Sequence, residues 1–468
     1  MNKQLLCAAL CAAATGTASA ADFGHAVETL AKVAAPLLFG THGTLDASST
    51  KSLTADEANA NPARLVTVAP GLHVSVVSAH PALGPNIDMM VLWPKDHPTH
   101  LIACNEQGAA QVGVQRISLA TGAPETIIAA GLTSCDPVRA TPWGTITVGE
   151  ENGANGRTFE ILAPLATTGV IVSGSGAATT TSDPTHVAYR PALGQLAFEG
   201  TAFLPNGVMY STDENRPGNG SPGGAIFKFV PATLWTGTAS IVNLDQSPLL
   251  AGSLYGLRVG RRSGNTDYGQ GNEFGRGAWV PVTGTAPINL RAAAATLKLT
   301  SYYRPEDMDL DQKALAAGDV RFCGNNTGDD TPGGDNHFGE IYCVTDGTVN
   351  EAAALTSVPE YQPLMIGNVE LAMVDNIAYQ PGRGNWIIHE DGEGALYTPA
   401  RNNDIWDCLD DGADEDNLAD ACVRIMTLND LTAESTGGLF DATGKVYYFS
   451  VQHNITGHGV IVKVTGWR

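Results

Sequence analysis

The sequence predicts an all-β protein built as a β-propeller, with a short helix near its N-terminal end. Short apolar runs rich in β-branched and aromatic residues recur from Leu65 to the C-terminus, separated by Gly, Pro and Asn. This stretch is long for a single β-sandwich, whereas blades of roughly 40 to 45 residues divide it into about six to eight units. A repeated pattern of acidic and apolar residues supports the same architecture.

In the repeated pattern, an acidic residue opens a short apolar run, a Gly turn follows, and a second apolar run ends in acids or an amide. Copies begin at Glu199, Glu306, Asp375 and Glu434. Equivalent positions on successive blades point toward one axis, so these carboxylates are expected to meet at one mouth of the propeller. Crowded acids repel one another unless cations lie between them. The uneven spacing of the copies predicts long inserted loops near residues 240–300 and 326–340.

The N-terminal residues 1–20 have the features of a secretory signal. Lys3 supplies a basic residue, an apolar run follows, and Ala18-Ser19-Ala20 forms a cleavage site. We therefore predict Sec-type export, with the mature protein periplasmic or extracellular. No other run approaches the ~20 apolar residues that a membrane span needs, so none is expected.

The mature chain is predicted to have two parts. Residues 21–64 are expected to hold a helix, at residues 26–38, and a linker, at residues 41–62. Residues 65–468 are expected to form the propeller.

The composition indicates an acidic, turn-rich globular protein. The chain has 26 Lys and Arg against 48 Asp and Glu, a formal charge of −22, together with 53 Gly and 26 Pro. A nucleic-acid partner is excluded because phosphate backbones are held by basic stripes, and the sequence has none. We expect a monomer that acts on a small molecule.

Six cysteines remain after removal of the signal, which contains two of the eight. Cys323 and Cys343 flank one polar loop, and Cys408 and Cys422 flank another, so both pairs are predicted to be disulfides in an oxidising compartment. For Cys104 and Cys135 two interpretations stay open, a third disulfide or a Cys135 thiolate bound to metal. Composition alone favours the disulfide.

The candidate chemistry comes from acidic residues, because no nucleophile elbow, phosphate-binding loop or zinc-ligand spacing is present. Glu150 and Glu151 follow a strand, where paired carboxylates bind a hard cation or are simply solvated. In Arg304-Pro305-Glu306, the acid is a candidate metal ligand and the arginine a candidate contact for an anion. The alternative for this triplet is a surface ion pair.

These residues, taken together, are similar to the PhoX-type alkaline phosphatases. The similarity runs from about residue 100 to the C-terminus and rests on Cys135, TPWGT at 141–145, Glu150-Glu151, Phe198-Glu199, the triplet at 304–306, and TGGLFDATGKVYYFSVQHN, which includes Gln452-His453. The resemblance implies a six-bladed propeller that hydrolyses phosphomonoesters with iron (Fe³⁺) and calcium (Ca²⁺) ions at its axial mouth.

The resemblance also implies roles for individual residues. Cys135 would be a thiolate ligand of iron, and Glu150, Glu199 and Glu306 would be carboxylate ligands that bridge iron and calcium. Arg304 would contact the substrate phosphate. Further calcium candidates, placed by the repeat more than by a motif, are Asp213, Asp375 and Glu434.

Two other functional classes remain open, a calcium-dependent hydrolase of another kind, such as a lactonase, and a propeller that binds ligands without catalysis. The state of Cys135 is expected to separate them, since a free or metal-bound thiol favours the phosphatase and a disulfide with Cys104 favours the others. One departure from the family pattern is Asp213-Glu214-Asn215, where the family tends to place an arginine after two acids.

Overall fold

The structure is a computed structural model that describes residues 30–218, 221–260, 274–329, 338–392, 396–397, 399–411 and 418–468. The predicted signal at residues 1–20 and the first part of the predicted helix lie outside these ranges. Among the described residues, the helices are too short or too polar to span a bilayer.

The first two strands, which follow a helical N-terminal segment, are β1 (Val66–Val68) and β2 (His73–Ser78). The strands that follow group into six blades, which are antiparallel except where β10 pairs in parallel with β6, and two of these blades share one sheet.

The strands of the first three blades, in chain order, have these bounds. Blade 1 contains β3 (Ile87–Trp93), β4 (His100–Asn105), β5 (Val114–Ser118), β6 (Pro124–Ala130), β10 (Val170–Ser173) and β11 (Thr180–Thr181). Blade 2 contains β7 (Cys135–Ala140), β8 (Ile146–Glu150), β9 (Thr158–Ile161) and β12 (Val187–Tyr189). Blade 3 contains β13 (Phe198–Phe203), β14 (Met209–Asp213), β17 (Ile226–Pro231), β18 (Gly252–Val259) and β19 (Gly275–Val282), with a small hairpin of β15 (Pro217–Gly218) and β16 (Ser221–Pro222) beside it.

The other three blades complete the ring. Blade 4 contains β20 (Pro305–Leu310), β21 (Asp319–Asn326), β22 (Glu340–Thr348) and β23 (Glu360–Ile366). Blade 5 contains β24 (Val374–Tyr379), β25 (Trp386–Glu390), β26 (Asp404–Cys408), β27 (Cys422–Leu428) and β1. Blade 6 contains β28 (Glu434–Phe440), β29 (Val446–Gln452), β30 (Val460–Thr465) and β2.

The first strand of each blade lies at the centre of the molecule. Strands β3, β7, β13, β20, β24 and β28 contact one another in that order, and β28 contacts β3, so they form a closed ring. The N-terminal strands stabilise the closed ring, since β2 pairs with β30 of blade 6 and β1 pairs with β27 of blade 5. The predicted all-β propeller is therefore confirmed.

The hydrophobic core is distributed between adjacent blades rather than gathered at one centre. Ile102 and Val114 of blade 1 pack against Val138 and Phe159 of blade 2, and equivalent clusters fill the other interfaces. Burial of one such side chain contributes roughly 1.5 to 3 kcal/mol. The first strands are almost wholly buried, and we call the axis that they enclose the channel.

The N-terminal segment is more ordered than the predicted linker. Residues 30–33 and α1 (Ala35–Leu38) are helical, in agreement with the prediction, and α1 buries Ala35 and Leu38 against blades 5 and 6. Residues 41–62 include α2 (Ala55–Ala60), which begins with a capping box at Thr54. The segment also runs along blade 5, where the Leu53 amide donates to Asn429 O at 2.9 Å.

The predicted insertion at 240–300 is not simply a loop. It forms β18, β19 and α3 (Leu290–Leu297), and β19 pairs with β23, so blades 3 and 4 share a nine-stranded sheet. Two short helices lie beside blade 4, α4 (Gln312–Ala317) and α5 (Val349–Ala354). Most of the second predicted insertion, at 330–337, lies outside the described residues.

Three disulfides are present among the described residues. The predicted pairs Cys323–Cys343 and Cys408–Cys422 are confirmed, and each joins neighbouring strands of one blade. The third pair is Cys104–Cys135, which joins β4 of blade 1 to β7 of blade 2.

We expect Gly437→Ala to destabilise the ring where blade 6 meets blade 1. Gly437 has φ +63°, and a Cβ there would lie 2.3 Å from Asp88 O. Backbone strain and overlap together should lower the free energy of unfolding by about 2 to 4 kcal/mol. The measurement is the midpoint of urea unfolding. The matched control is Gly457→Ala, where φ is +78° but the space is open, so a loss of about 1 kcal/mol is expected. Equal losses for the two variants would contradict the close contact between the blades.

Candidate functional site

A bulge occurs at the same place in the first strand of five blades. The pairing of β3 with β4 skips from Ile87 to Met90, and that of β7 with β8 skips from Cys135 to Val138. The pairing of β13, β20 and β24 with the second strand of each blade likewise skips from Phe198 to Thr201, from Pro305 to Met308 and from Val374 to Ile377. A bulge re-aims the side chains within it. The first residue inside every one of these skips is acidic, and these residues are Asp88, Asp136, Glu199, Glu306 and Asp375.

A second set of residues follows the second strand of each blade. The residue directly after β4, β8, β14, β21 or β25 lies at the same end of the propeller as the bulges. In order along the chain, these residues are Glu106, Glu151, Glu214, Thr327 and Asp391. In blade 6 the pairing differs, and Glu434 pairs with Gln452, which is followed by His453.

The carboxylates converge on one mouth of the channel. Oxygen atoms of Asp136, Glu151 and Glu199 all lie within 4.8 Å of one another. Oxygen atoms of Glu199, Glu306 and Asp375 do the same. Because Glu199 belongs to both groups, four consecutive blades contribute to one continuous cluster.

Glu434 lies on the opposite side of the same cluster. Burial, followed by the charge of Asp391, raises its pKa well above the usual value, and Asp375 and Asp88 add to the shift. The pKa of Asp88 is likewise raised well above its usual value, first by burial and then by Asp136 and Glu106. The cluster therefore encircles the axis and includes both predicted and unpredicted residues.

Arg304 places a positive charge within this cluster. Its Nε lies 2.7 Å from Glu214 Oε1 and 3.1 Å from Glu306 Oε1, and its Nη2 lies 3.3 Å from Asp391 Oδ2. Burial alone would lower the pKa of Arg304, but the charges of Glu306, Glu214 and Asp391 outweigh it and raise the pKa well above its usual value. The guanidinium therefore stays charged at any physiological pH.

The backbone of Arg304 is held in a left-handed conformation, with φ +52°. Its amide donates to Asn215 O at 2.9 Å, and its carbonyl accepts from the Thr327 amide at 3.0 Å. A non-glycine residue in this conformation costs about 1 to 3 kcal/mol and persists only where the surroundings enforce it. The structure thus fixes the direction in which this arginine enters the site.

Glu150, which was predicted to be a metal ligand, lies behind the cluster. Its two oxygens accept from Nε and Nη2 of Arg157, both at 2.6 Å, in a fully buried ion pair. Glu150 still pairs with Cys135 in the ladder, whereas Glu151 lies one residue beyond it. Successive side chains of a strand face opposite sides, so the shift of one residue moves the metal candidate to Glu151.

Asp213, a predicted calcium candidate, also lies behind the cluster. Asp213 is the last residue of β14, and Oδ1 accepts from Arg291 Nη2 at 2.7 Å and from the Ala197 amide at 3.1 Å. Burial, partly offset by Arg291, raises its pKa to about 6. The next residue, Glu214, faces the channel and contacts Arg304.

The thiolate prediction for Cys135 is wrong in this structure, because its sulfur is bonded to that of Cys104. A disulfide sulfur carries no negative charge and so is not a thiolate ligand. Cys135 nevertheless lies next to Asp136, which belongs to the cluster. The open choice for this pair is thus resolved in favour of the disulfide.

Four carboxylates of the cluster, Glu199, Glu306, Asp375 and Glu434, are predicted from the repeated sequence pattern, and the others are not. A signal for two of the missed residues is present, because the segments from Asp88 and Asp136 follow the same pattern of acid, apolar run, turn and second apolar run. Glu151 was considered from the sequence only as the partner of Glu150 in a paired-carboxylate site. The members not proposed at all are Asp88, Glu106, Asp136, Glu214 and Asp391.

We expect Glu150→Gln and Glu151→Gln to have opposite effects. Loss of the Glu150 charge leaves Arg157 buried without its ion pair and should lower the free energy of unfolding by about 3 to 5 kcal/mol. Loss of the Glu151 charge relieves repulsion in cation-free protein and should leave stability equal or higher. Urea unfolding in a chelator measures both. A larger loss for Glu151→Gln would contradict the assignment of these two neighbours.

We also expect cation-free protein to lose stability as the pH rises. Burial raises the pKa of Glu306 to about 8, although Arg304 opposes this, so the folded state holds a proton that the unfolded state has released. A raised carboxyl pKa gives stability that is greatest below the unfolded value and is lost as pH rises through the folded value. Between pH 6 and pH 9 in a chelator, the free energy of unfolding should fall by about 2 kcal/mol. Added calcium should reduce this dependence. A stability that rises over the same interval would contradict the repulsion described here.

Comparison with solved structures identifies similar folds. The chain is similar to Pseudomonas fluorescens PhoX in complex with vanadate, a transition state analogue, with 15% identity, a TM-score of 0.63, and coverage of 90% of this chain and 98% of that chain. Weaker similarity extends to a PQQ-bound aldose sugar dehydrogenase from Streptomyces coelicolor, with 11% identity, a TM-score of 0.44, and coverage of 85% and 99%. A gluconolactonase from Xanthomonas campestris shows 10% identity, a TM-score of 0.42, and coverage of 90% and 96%.

Comparison of sequences gives a family. No curated protein shows significant similarity to the chain. The family model described as alkaline phosphatase PhoX matches residues 128–454, which include blades 2 to 4, the strands of blade 5 other than β1, and strands β28 and β29 of blade 6. That span is well over half of the 468 residues. The chain therefore belongs to the PhoX alkaline phosphatase family.

Proposed function

We propose that this protein is a secreted, metal-dependent phosphatase that hydrolyses phosphomonoesters at the acidic mouth of the propeller. The observation that carries the proposal is the pair of overlapping carboxylate groups that share Glu199 and contact Arg304 through Glu306. Clustered cations and a fixed guanidinium are the groups that stabilise a transferring phosphoryl group. Membership of the PhoX family supports the same activity.

The residues at the mouth fit hard cations. The two groups offer carboxylate oxygens, which calcium and ferric ions prefer. Oδ1 of Asp136 is buried and has no hydrogen-bond partner among the described residues, which is unfavourable unless a further ligand binds it. We propose that Asp136, Glu151 and Glu199 hold one calcium or iron ion and that Glu199, Glu306 and Asp375 hold another. When bound, such ions neutralise phosphoryl oxygens and lower the pKa of a coordinated water.

The role proposed for Glu434 is that of a further calcium ligand, since it lies beside Asp391 on the same cluster. Cys135 is left out of the ligand set because of its disulfide. Any iron that binds is therefore proposed to have oxygen ligands in this oxidised form.

Arg304 is proposed to bind the substrate phosphate. Its side chain is 15% exposed, enough to meet a small ligand, and its direction is fixed by the left-handed backbone. Guanidinium groups bind phosphate oxygens with two parallel hydrogen bonds. Glu306, which holds Arg304 from one side and belongs to a carboxylate group, would couple phosphate binding to the cations.

Secretion is proposed from the signal pattern and from the three disulfides, which persist in oxidising compartments. A small phosphorylated substrate suits the mouth better than nucleic acid, because the chain carries a net charge of −22. The protein is proposed to act as a monomer.

The alternatives of a lactonase-like hydrolase or a non-catalytic binding propeller are less well supported. The disulfide at Cys135 was expected to favour them, since it removes the thiolate. The family match and the carboxylate cluster outweigh this point, because the oxygen ligands remain assembled without the sulfur.

The test is hydrolysis of p-nitrophenyl phosphate at alkaline pH by protein loaded with calcium and iron. We expect wild-type activity and a loss of about 100-fold or more in kcat for Glu306→Gln, without a fall in thermal stability. The matched control is Glu360→Gln on the outer strand β23 of the same blade, which should keep full activity. Inactivity of metal-loaded wild type, or full activity of Glu306→Gln, would contradict the proposal.

A further inference from the structure

The bulges that present the carboxylates interrupt the pairing of each first strand with its own blade. Glu306 lies inside the skip between Pro305 and Met308 and has no register partner on β21. Buried backbone groups in such positions require a partner from elsewhere. In this protein, that partner comes from the preceding blade.

Thr212 of blade 3 is the clearest example. Its hydroxyl donates to the carbonyl oxygen of Glu306 in blade 4 at 2.8 Å. The hydroxyl oxygen of Thr212 also accepts from the amide of Gly200, in its own blade, at 2.7 Å. One side chain therefore connects the bulge beside Glu199 to the bulge that contains Glu306, which are two members of one carboxylate group.

The contact between these bulges is close. A Cβ at Gly200 would lie 2.6 Å from Glu306 O and 2.9 Å from Thr212 Oγ1. The two backbones consequently lie too close together for a side chain at position 200, and the Thr212 hydroxyl fills the remaining space.

The position of Thr212 recurs in other blades. In each of these blades it is the residue of the second strand that lies opposite the two bulged residues of the first strand. We call these residues the tie positions. They are Cys104, Gly149, Thr212, Asn325 and His389.

Every tie position contacts the first strand of the next blade beside an acid. Asn325 Nδ2 donates to Asp375 O at 2.7 Å, and His389 Nδ1 lies 2.9 Å from Ser435 O, next to Glu434. A Cβ at Gly149 would lie 2.8 Å from Cβ of Phe198, next to Glu199.

At the tie position of blade 1 the contact is covalent. Cys104 is bonded to Cys135, the residue before Asp136. The disulfide thus occupies the place that a hydroxyl or an amide occupies in blades 3 and 4.

We propose that the tie positions are positioning residues for the metal centre, and that the Cys104–Cys135 disulfide serves to position Asp136. Each tie fixes the peptide beside one carboxylate against the repulsion of its neighbours. The inference rests on the proposed function, because it requires that these carboxylates bind cations. Supporting groups of this kind commonly change metal affinity by about 10 to 100-fold.

The experiment is calorimetric titration of calcium into chelator-treated protein. Thr212→Val keeps the shape of the side chain and removes both hydrogen bonds, so we expect about 10-fold weaker calcium binding. Thr212→Ser restores the hydroxyl and should bind within about twofold of wild type. The matched control is Thr158→Val, since Thr158 is equally buried and its hydroxyl has no partner among the described residues.

The disulfide is tested in the same way. The double variant Cys104→Ala with Cys135→Ala should bind calcium about 10-fold more weakly than wild type. Its control, Cys408→Ala with Cys422→Ala, removes a disulfide within blade 5 and should leave affinity unchanged. Thermal unfolding in a chelator identifies any variant that has failed to fold, and Asn325→Leu then replaces it as a further tie variant.

The outcomes separate the two proposals. Calcium binding by wild type with equal affinity in Thr212→Val and in the cysteine double variant overturns the tie proposal and leaves the phosphatase proposal intact. An absence of calcium binding by wild type overturns both. Tighter iron binding by Cys104→Ala, which frees the Cys135 thiol, would also overturn the positioning role of the disulfide.

Discussion

The arrangement of this protein depends on repulsion between carboxylates at one mouth of the channel. Ten acids from all six blades face it, namely Asp88, Glu106, Asp136, Glu151, Glu199, Glu214, Glu306, Asp375, Asp391 and Glu434. Two like charges at 4 Å repel by about 4 kcal/mol at an effective dielectric constant of 20. A few such pairs equal the ~5 to 15 kcal/mol that stabilises a typical domain. The charges must therefore be compensated by protons, by Arg304 or by bound cations, and this requirement is the physical basis of the proposed metal centre.

The fold separates these acids from a second set of charged groups directly behind them. Glu150, Asp213 and Glu390 end the second strands of blades 2, 3 and 5, and each forms an ion pair with an arginine that lies outside the channel. These pairs hold the end of each second strand, while the following residue faces the channel. Alternation along the strand thus divides adjacent acids into one that stabilises the blade and one that is free to bind a ligand. In the first strands, the bulges likewise direct one acid of each strand toward the channel.

This division also explains which parts of the site could be predicted from the sequence. The strands and the convergence of Glu199, Glu306, Asp375 and Glu434 follow from a repeat that is visible without the structure. The choice between Glu150 and Glu151 does not, because it depends on which residue is the last ladder partner, and pattern and composition do not fix register to one residue. The state of Cys135 could not be settled either, because it depends on whether β4 and β7 are adjacent in space, and that adjacency arises only when the ring closes.

The charges at the mouth also impose an order on binding. A phosphomonoester is an anion, and in cation-free protein it meets a ring of acids in which Arg304 is already engaged by Glu214, Glu306 and Asp391. The negative electrostatic potential at the mouth disfavours entry of the phosphomonoester, and the guanidinium of Arg304 is already paired with carboxylates. Cations bound by the carboxylates would make the local charge less negative, and a cation held by Glu306 would weaken the ion pair between Glu306 and Arg304. The substrate is therefore expected to bind after the cations, and the same carboxylates that make the empty mouth unfavourable for phosphate create its affinity once the mouth is filled.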